Sequence, residues 1–312
     1  MARVLVVVLN WRSADMTLAA AEAALSAMQG IDAALTIVDN DSGDGSFEAM
    51  TAQAAARGWP VRVLQSGQNG GFGAGNNVGI RAGMPDGSAP EYVYILNPDA
   101  IPAPDAIRAL VDHLETHPAT GFAGSFIHGP DGAAHRTAFR FPSLAGEFEA
   151  QARFGPISRL LRRWIVARPL PQATGRVDWL AGASLMMRTA VLDRIGLFDE
   201  RFFLYFEETE LCHRAARAGW PTDYVLESRV SHIGGASTGS KKWQRIPGYW
   251  LDSRRHYFRK VHGPRYARLA DVAHVAGGLI WRLRVLVQRK DPVDPPFYLR
   301  DLVRHALRGG SE

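Results

Sequence analysis

YVYILNPDA, Tyr92–Ala100, decides the fold of this chain. Five apolar residues of high strand propensity stop abruptly at an amide, a proline and a carboxylate. The run therefore reads as a buried strand whose carboxyl end carries polar groups. Outward from it, comparable runs recur at Val4–Leu9, Leu35–Val38, Val61–Leu64 and Gly121–Phe126, separated by helical patterns at Met16–Met28, Phe47–Arg57, Asn77–Ala82 and Pro104–His117. Strands alternating with helices predict an α/β fold built on a mostly parallel sheet flanked by helices. Further on, Phe141–Gly175 has no clear period and reads as loops and short helices over the sheet. Trp179–Arg188 reads as a strand, followed by a short helix ending at Gly196 and a helix over Glu208–Ala218 closed by Gly219.

The chain has 312 residues, 46% of them hydrophobic, enough for a sizeable core. Its single cysteine, Cys212, excludes an internal disulfide framework and points to a reducing, cytoplasmic setting. The apolar start is too short for a signal peptide, and the longest later run, Val272–Ile280, is bounded by Asp271 and Arg282, so no bilayer span is expected. Charge is uneven: Ser240–Glu312 holds 16 Lys+Arg against 6 Asp+Glu, leaving 20 against 25 in the preceding residues. A basic tail follows an acidic body.

Polar groups at strand ends are the first candidates for chemistry, because ligands of open α/β sheets bind outside the carboxyl ends of the strands. Asn97 and Asp99 follow the strand Tyr92–Leu96, and a carboxylate there suits a hard divalent ion such as Mg²⁺ or Mn²⁺, although a turn or cap role serves equally. Asp39 ends the second strand, where it can accept from a base or a ribose hydroxyl. GQNGGFGAGNN, Gly67–Asn77, fails the G-x-G-x-x-G spacing and lacks the acidic residue ~20 positions on, which disfavours a nicotinamide dehydrogenase. Its Asn69 and Asn76 still offer amides to a nucleotide, and a purely structural glycine turn stays open.

FEETELCHRA, Phe206–Ala215, crowds Glu207, Glu208 and Glu210 at a helix start. Helix capping accounts for them as acids near a positive dipole end; mutual repulsion would instead raise one toward the proton affinity of a general base. His232, before two glycines, is a structural histidine or a ligand to a divalent ion. No paired His or Cys spacing supports structural zinc.

In this order LNWRS, VDNDSGDGS, NGGFGAGNNVGI, LNPDA, the block from GASLMMR to LCHRAARAGW, and HIGGAS resemble family 2 glycosyltransferases of the GT-A fold, and their rhamnosyltransferase-like branch. The resemblance covers roughly Val4–Gly239 and implies an inverting enzyme that moves a sugar from a nucleoside diphosphate to an acceptor hydroxyl. It implies a nucleotide-sugar-binding half over residues 1–126 and an acceptor and catalytic half over 127–239, and the basic, aromatic tail over 240–312 reads as a helical extension beyond it. It gives Asp39 the nucleotide contact, with Asn10, Arg12, Asn69, Asn76 and Asn97 beside it, and Asp99 the metal, with His232 as second ligand. The family's DxD motif stands here as Asn97-Pro98-Asp99. Its Glu-Asp pair stands as Glu207-Glu208, which makes Glu208 the base, while Trp179, Gly182, Ala183 and Glu207 border sugar and acceptor. The donor is expected to be a dTDP- or UDP-sugar, foremost dTDP-rhamnose, and the acceptor a glycan or polyprenyl-linked glycan.

The tail mixes cations with aromatics in KKWQR, YWLDSRRHYFRK and IWRLR, a composition that suits the headgroup layer of an anionic membrane as well as a solvated helix pair. A peripheral position on the inner membrane face is the expectation, and nucleic acid is disfavoured by the acidic body and the lack of a recognised motif. Two rival readings remain: a nucleotidyltransferase, for which LNWRSAD lacks the phosphate loop, and a non-catalytic nucleotide-sugar-binding module.

Overall fold

The computed structural model describes residues 2–234 and 243–308. In chain order, β1 (Arg3–Asn10), α1 (Ala14–Ala27), β2 (Asp32–Asp39), α2 (Ser46–Ala56), β3 (Val61–Gln65), α3 (Phe72–Ala82), β4 (Tyr92–Leu96), β5 (Ala100–Pro102), α4 (Ala106–Thr116) and β6 (Phe122–His128) form the first half. β7 (Ala138–Phe139), α5 (Leu144–Ala152), α6 (Gly155–Leu160), β8 (Gly175–Val177), β9 (Trp179–Leu180), β10 (Ser184–Arg188), α7 (Thr189–Ile195), α8 (Glu207–Arg217) and β11 (Thr222–His232) follow. α9 (Gly248–His262), α10 (Pro264–Gln288) and α11 (Tyr298–Arg308) end the chain. Two compact units result, Met1–Ala138 with Pro169–Thr238, and Phe139–Arg168 with Gly239–Glu312. The aperiodic stretch after Phe139 thus joins the C-terminal helices in a second unit.

In the first unit one sheet runs in the order β3-β2-β1-β4-β10-β6-β11-β5, with β8 added to β11. β3, β2, β1 and β4 are parallel, as the alternating pattern predicts. β10 then runs antiparallel to both β4 and β6, and β5 and β8 are antiparallel to β11. β6 and β11 are parallel to each other and share the direction of β1–β4, so the sheet is mostly parallel and only β10, β5 and β8 run against it. β10 enters the sheet from the opposite end, which brings its amino end to the edge where β1, β2 and β4 finish.

β1 is apolar on both faces because both are covered. Val4, Val6 and Val8 share a core with Leu18, Ala21 and Ala24 of α1 and Ile107 and Leu110 of α4. The alternate residues lie under α3, where a Cβ on Gly75 would fall 2.5 Å from Leu9 and one on Gly79 2.6 Å from Val7. Each fully buried Val or Leu contributes roughly 1.5–3 kcal/mol. The glycine segment thus turns out to be helix from Phe72 onward, five residues before the start that apolar spacing indicates. Its glycines let helix and sheet approach closely.

Other boundaries move as well, α1 to Ala14–Ala27, β2 to Asp32–Asp39 and α4 to Ala106–Thr116 among them. The strand expected over Trp179–Arg188 is broken between β9 and β10, at Ala181–Ala183. The helix of the glutamate cluster begins at Glu207 rather than Glu208. Buried Cys212 lies in it, and burial pushes its thiol up to about 12, the behaviour of an inert apolar filler.

In the second unit α10 packs on α5, α9 and α11. Arg254, 1% exposed, is held by Glu147 at 2.7 Å and Asp271 at 2.5 Å, and His274 bridges Glu147 to the Tyr298 hydroxyl. The aromatics Tyr257, Phe258 and Trp281 are buried inside this unit. They contribute core area and do not form the surface belt that their spacing among cations suggests.

Candidate active site

The register sets the site. Asn10 pairs with Asp39 across β1 and β2, Val8 pairs with Leu96 on β4, and Leu96 pairs with Ser184 at the start of β10. β11 runs parallel to β6, so its last residue, His232, arrives at the same edge and pairs with Ala100 of β5. One sheet edge therefore collects Asn10, Asp39, Asn97, Asp99, Gly182, Ala183 and His232.

At the β1–β2 end, Asp39 is fully buried and accepts from Asn10 Nδ2 at 2.7 Å, Ser42 Oγ at 2.6 Å and Ser42 N at 3.1 Å. Asn10 Oδ1 accepts in turn from Thr17 Oγ1 at 2.7 Å. Asp39 also lines a cavity of about 340 Å³ with Gly45, Ser46, Phe47, Glu48 and Gln65. Arg12 is exposed and anchored through its backbone N–H to Ser42 Oγ at 2.9 Å and its Nε to Ser42 O at 3.0 Å. Ser42 is the residue that motif reading passed over; it ties both strand ends together.

Asn69 Oδ1 accepts from Asn40 Nδ2 at 3.0 Å and from Gly71 N at 3.1 Å. Asn76 is buried and donates to Phe72 O within α3. Both amides thus hold the protein's own backbone and neighbours. Asn77, not singled out by sequence, links α3 to the segment before α8 through Phe198 O at 2.9 Å, Phe198 N at 3.2 Å and Glu200 at 2.8 Å. Gly71 has φ +89°, and a Cβ there would lie 1.9 Å from Phe203 O. Only glycine fits that approach.

At the β4 end, His232 Nε2 lies 3.0 Å from Asp99 Oδ1 and 3.4 Å from Asn97 Nδ2. Asp99 is 5% exposed. Burial works to raise its proton affinity, yet the hydrogen bond and charge of His232 hold the carboxyl below the usual range. Asn97 N donates to Ala183 O at 3.0 Å, while its buried Oδ1 has no hydrogen-bond partner among the described residues. Gly235–Ser237 of HIGGAS and Lys241–Lys242 of KKWQR lie outside the described residues.

The three glutamates separate cleanly. Glu210 is fully buried and bound by Arg214 Nε at 2.7 and 2.9 Å, and Arg214 NH2 also donates to Leu197 O, so this pair braces α8. Glu207 is buried, with its Cβ side against Gly73 of α3; burial first, and the charge of Glu208 second, raise its proton affinity well above the usual carboxylate range. Glu208 is half-buried, and burial pushes it up to about 7 against backbone N–H groups of its own, of Gly182 and of Thr209. A carboxyl of that affinity can exchange a proton near neutral pH.

Backbone strain marks the same edge. Arg12, Asp41, Tyr205 and Phe206 all have positive φ, between 51° and 71°, and lie beside β1, β2 and the start of α8. Each such non-glycine residue costs on the order of 1 kcal/mol, and sites of this kind cluster where function fixes geometry. Trp179 stands half-buried in β9, just before the break that forms the Gly182–Ala183 segment.

A family model described as "Glycosyltransferase like family 2" matches residues 2–247. The chain belongs to glycosyltransferase family 2. An N-acetylglucosaminyl-diphospho-decaprenol L-rhamnosyltransferase of Mycobacterium tuberculosis (strain ATCC 25618 / H37Rv) is 35% identical to this glycosyltransferase over 212 residues, 65% of this chain and 67% of the relative. Rhamnosyltransferase WbbL of Escherichia coli (strain K12) is 26% identical over 166 residues, 52% of this chain and 60% of that one. The mannosyltransferase PcManGT from Pyrobaculum calidifontis, solved in complex with GDP-Man and Mn²⁺, superposes with a TM-score of 0.56 at 14% identity, over 99% of this chain and 79% of that one. The fold is thus of the GT-A type, and the enzyme is a rhamnosyltransferase-like glycosyltransferase.

Proposed function

We propose that this glycosyltransferase moves a sugar, with inversion, from a nucleoside diphosphate to a hydroxyl of a glycan or polyprenyl-linked glycan, and that its donor is dTDP-rhamnose. One observation carries the reading. Adjacent residues Gly182 and Ala183 contact the two reacting sides, Glu208 through the Gly182 N–H and the Asn97–Asp99 turn through the Ala183 carbonyl. Base and diphosphate site then flank one short segment.

The residues present fit a divalent ion. Among the described residues Asn97 Oδ1 is buried without a partner, next to the Asp99 carboxylate and the His232 imidazole, a set of hard oxygens with one nitrogen. Among the described residues no three His, Cys, Asp or Glu side chains converge, so Asp99 and His232 would hold Mg²⁺ or Mn²⁺ together with donor oxygens. When bound, such an ion supplies charge neutralisation on the departing diphosphate.

The chain's own residues do the rest. Glu208 takes the proton of the acceptor hydroxyl while that oxygen bonds to the anomeric carbon. The bond from that carbon to the phosphate oxygen breaks, and its electron pair leaves with the nucleoside diphosphate. Displacement from the opposite face inverts the centre. Asp39 and Arg12 stand at the neighbouring strand ends, where a base and ribose would lie. The relatives named as rhamnosyltransferases support the sugar, and the decaprenol in the mycobacterial relative's name supports a lipid-linked acceptor.

Transfer assays with a panel of nucleotide sugars test this. dTDP-rhamnose with Mn²⁺ or Mg²⁺ should give the highest turnover and the largest thermal shift. A different sugar preferred by tenfold or more would overturn the donor, and full turnover in excess chelator would overturn the metal.

A further inference from the structure

α10 carries an apolar stripe on its outer surface. Leu269, Val272, Leu279, Leu283 and Leu286 recur at steps of three, four and seven and are 54, 64, 59, 62 and 76% exposed. The packed face of the same helix holds Ala267, Ala270, His274, Gly277, Gly278 and Trp281. The apolar stripe is therefore additional to the residues that build the core of this unit. Exposed arginines 265, 268 and 282 border it, and Arg289 and Lys290 follow the last turn. The one acid of the helix, Asp271, is bound to Arg254.

α11 repeats the composition. Val303, 39% exposed, and Leu307, 77% exposed, alternate with Arg300, Arg304 and Arg308 on its outer side. Both helices lie beyond residue 247, where the family match ends. Their surface lies outside the region that the family model describes.

An apolar stripe with a cationic border fits the interface of an anionic bilayer, where leucines enter the acyl boundary and arginines meet phosphates. A second copy of this chain fits poorly, because two such faces would set cation against cation. Among the described residues no helix is long and apolar enough to cross a membrane, so the helix would lie along the surface. We propose that the Leu269–Leu286 face of α10 docks this glycosyltransferase on anionic lipid. The docking goes beyond the transfer reaction and holds whether or not the acceptor is lipid-linked.

Co-sedimentation of the full chain with vesicles tests it without any sugar donor. Wild type should bind phosphatidylcholine vesicles containing about 30 mol % phosphatidylglycerol at least about tenfold better than phosphatidylcholine alone, and lose that advantage in high salt. Leu279→Ser/Leu283→Ser/Leu286→Ser should bind at least about tenfold more weakly, with its thermal melt and its transfer to a water-soluble acceptor unchanged. Should that variant not fold, Arg265→Ser/Arg268→Ser/Arg282→Ser decides through loss of the preference for anionic vesicles. Equal binding to both vesicle types, or wild-type binding by the leucine variant, overturns the proposal. So does a wild-type dimer that the leucine variant dissolves, which would give the face to a second copy.

Discussion

The backbone N–H of Gly182 favours the charged form of Glu208, one residue before the carbonyl that accepts from Asn97 N. Glu208 and the turn bearing Asp99 thus both border one short segment entering β10. If Glu208 removes the acceptor proton, Glu208→Gln should lower kcat by at least about 10²-fold while the donor still binds. Thermal shift with dTDP-rhamnose and Mn²⁺, beside steady-state rates, separates the two effects.

The same carboxyl sets a pH dependence. It must be ionised to act, so kcat should rise with pH through about 7. Stability runs the other way. Its folded proton affinity is raised from 4.5 to about 7, so the folded state keeps a proton that the unfolded chain releases, and this contribution is full below about 4.5 and lost as pH rises through about 7. Removing the charge should therefore stabilise at high pH: allowing for partial exposure, Glu208→Gln gains about 1–2 kcal/mol at pH 8, or roughly 2–6 °C in Tm. At pH 4 the two melts should coincide.

Glu210 should behave oppositely. Its carboxylate pairs with Arg214, and Glu210→Ala leaves that guanidinium uncompensated beside Leu197 and Ile195. A loss of about 3 kcal/mol is expected, read by denaturant unfolding at pH 7. Activity per folded molecule should fall less than in Glu208→Gln.

Asp99→Asn removes the anionic group of the Asn97–Asp99–His232 cluster. The Mn²⁺-dependent part of the donor thermal shift should disappear, with kcat/KM down by at least about 10²-fold. Chelator should have the same effect on wild type and little further effect on the variant.

Gly182→Ala tests the segment itself. The new Cβ would lie 3.1 Å from the Phe72 ring, close enough that the ring or the segment must yield. Because misplacement of this segment moves Glu208, a loss of about tenfold or more in kcat is expected, with Phe72→Leu restoring most of it. A variant pair without that rescue would show that the segment, and not the ring, gives way.

The order of elements up to β6 was legible because both faces of the parallel strands are covered, so apolar runs such as Val4–Leu9 carry no ambiguity of face. The strand ends were legible too, since Asn10, Asp39 and Asn97 interrupt those runs. Helix starts were not: α3 begins inside a glycine run that propensity reads as loop, and only close packing on Val7 and Leu9 makes helix the better state there.

By itself the sequence determined the α/β alternation and the residue types at each strand end, for these follow from local periodicity and propensity. The tertiary structure alone decided which of Glu207, Glu208 and Glu210 is available, because three neighbouring carboxylates differ only in what distant residues bring to them: Gly73 against the first, Gly182 to the second, Arg214 with its hold on Leu197 to the third. It also decided which face of the basic tail is outside. The large aromatics were drawn into the core by the area they bury, and the leucines of α10 were left on the surface.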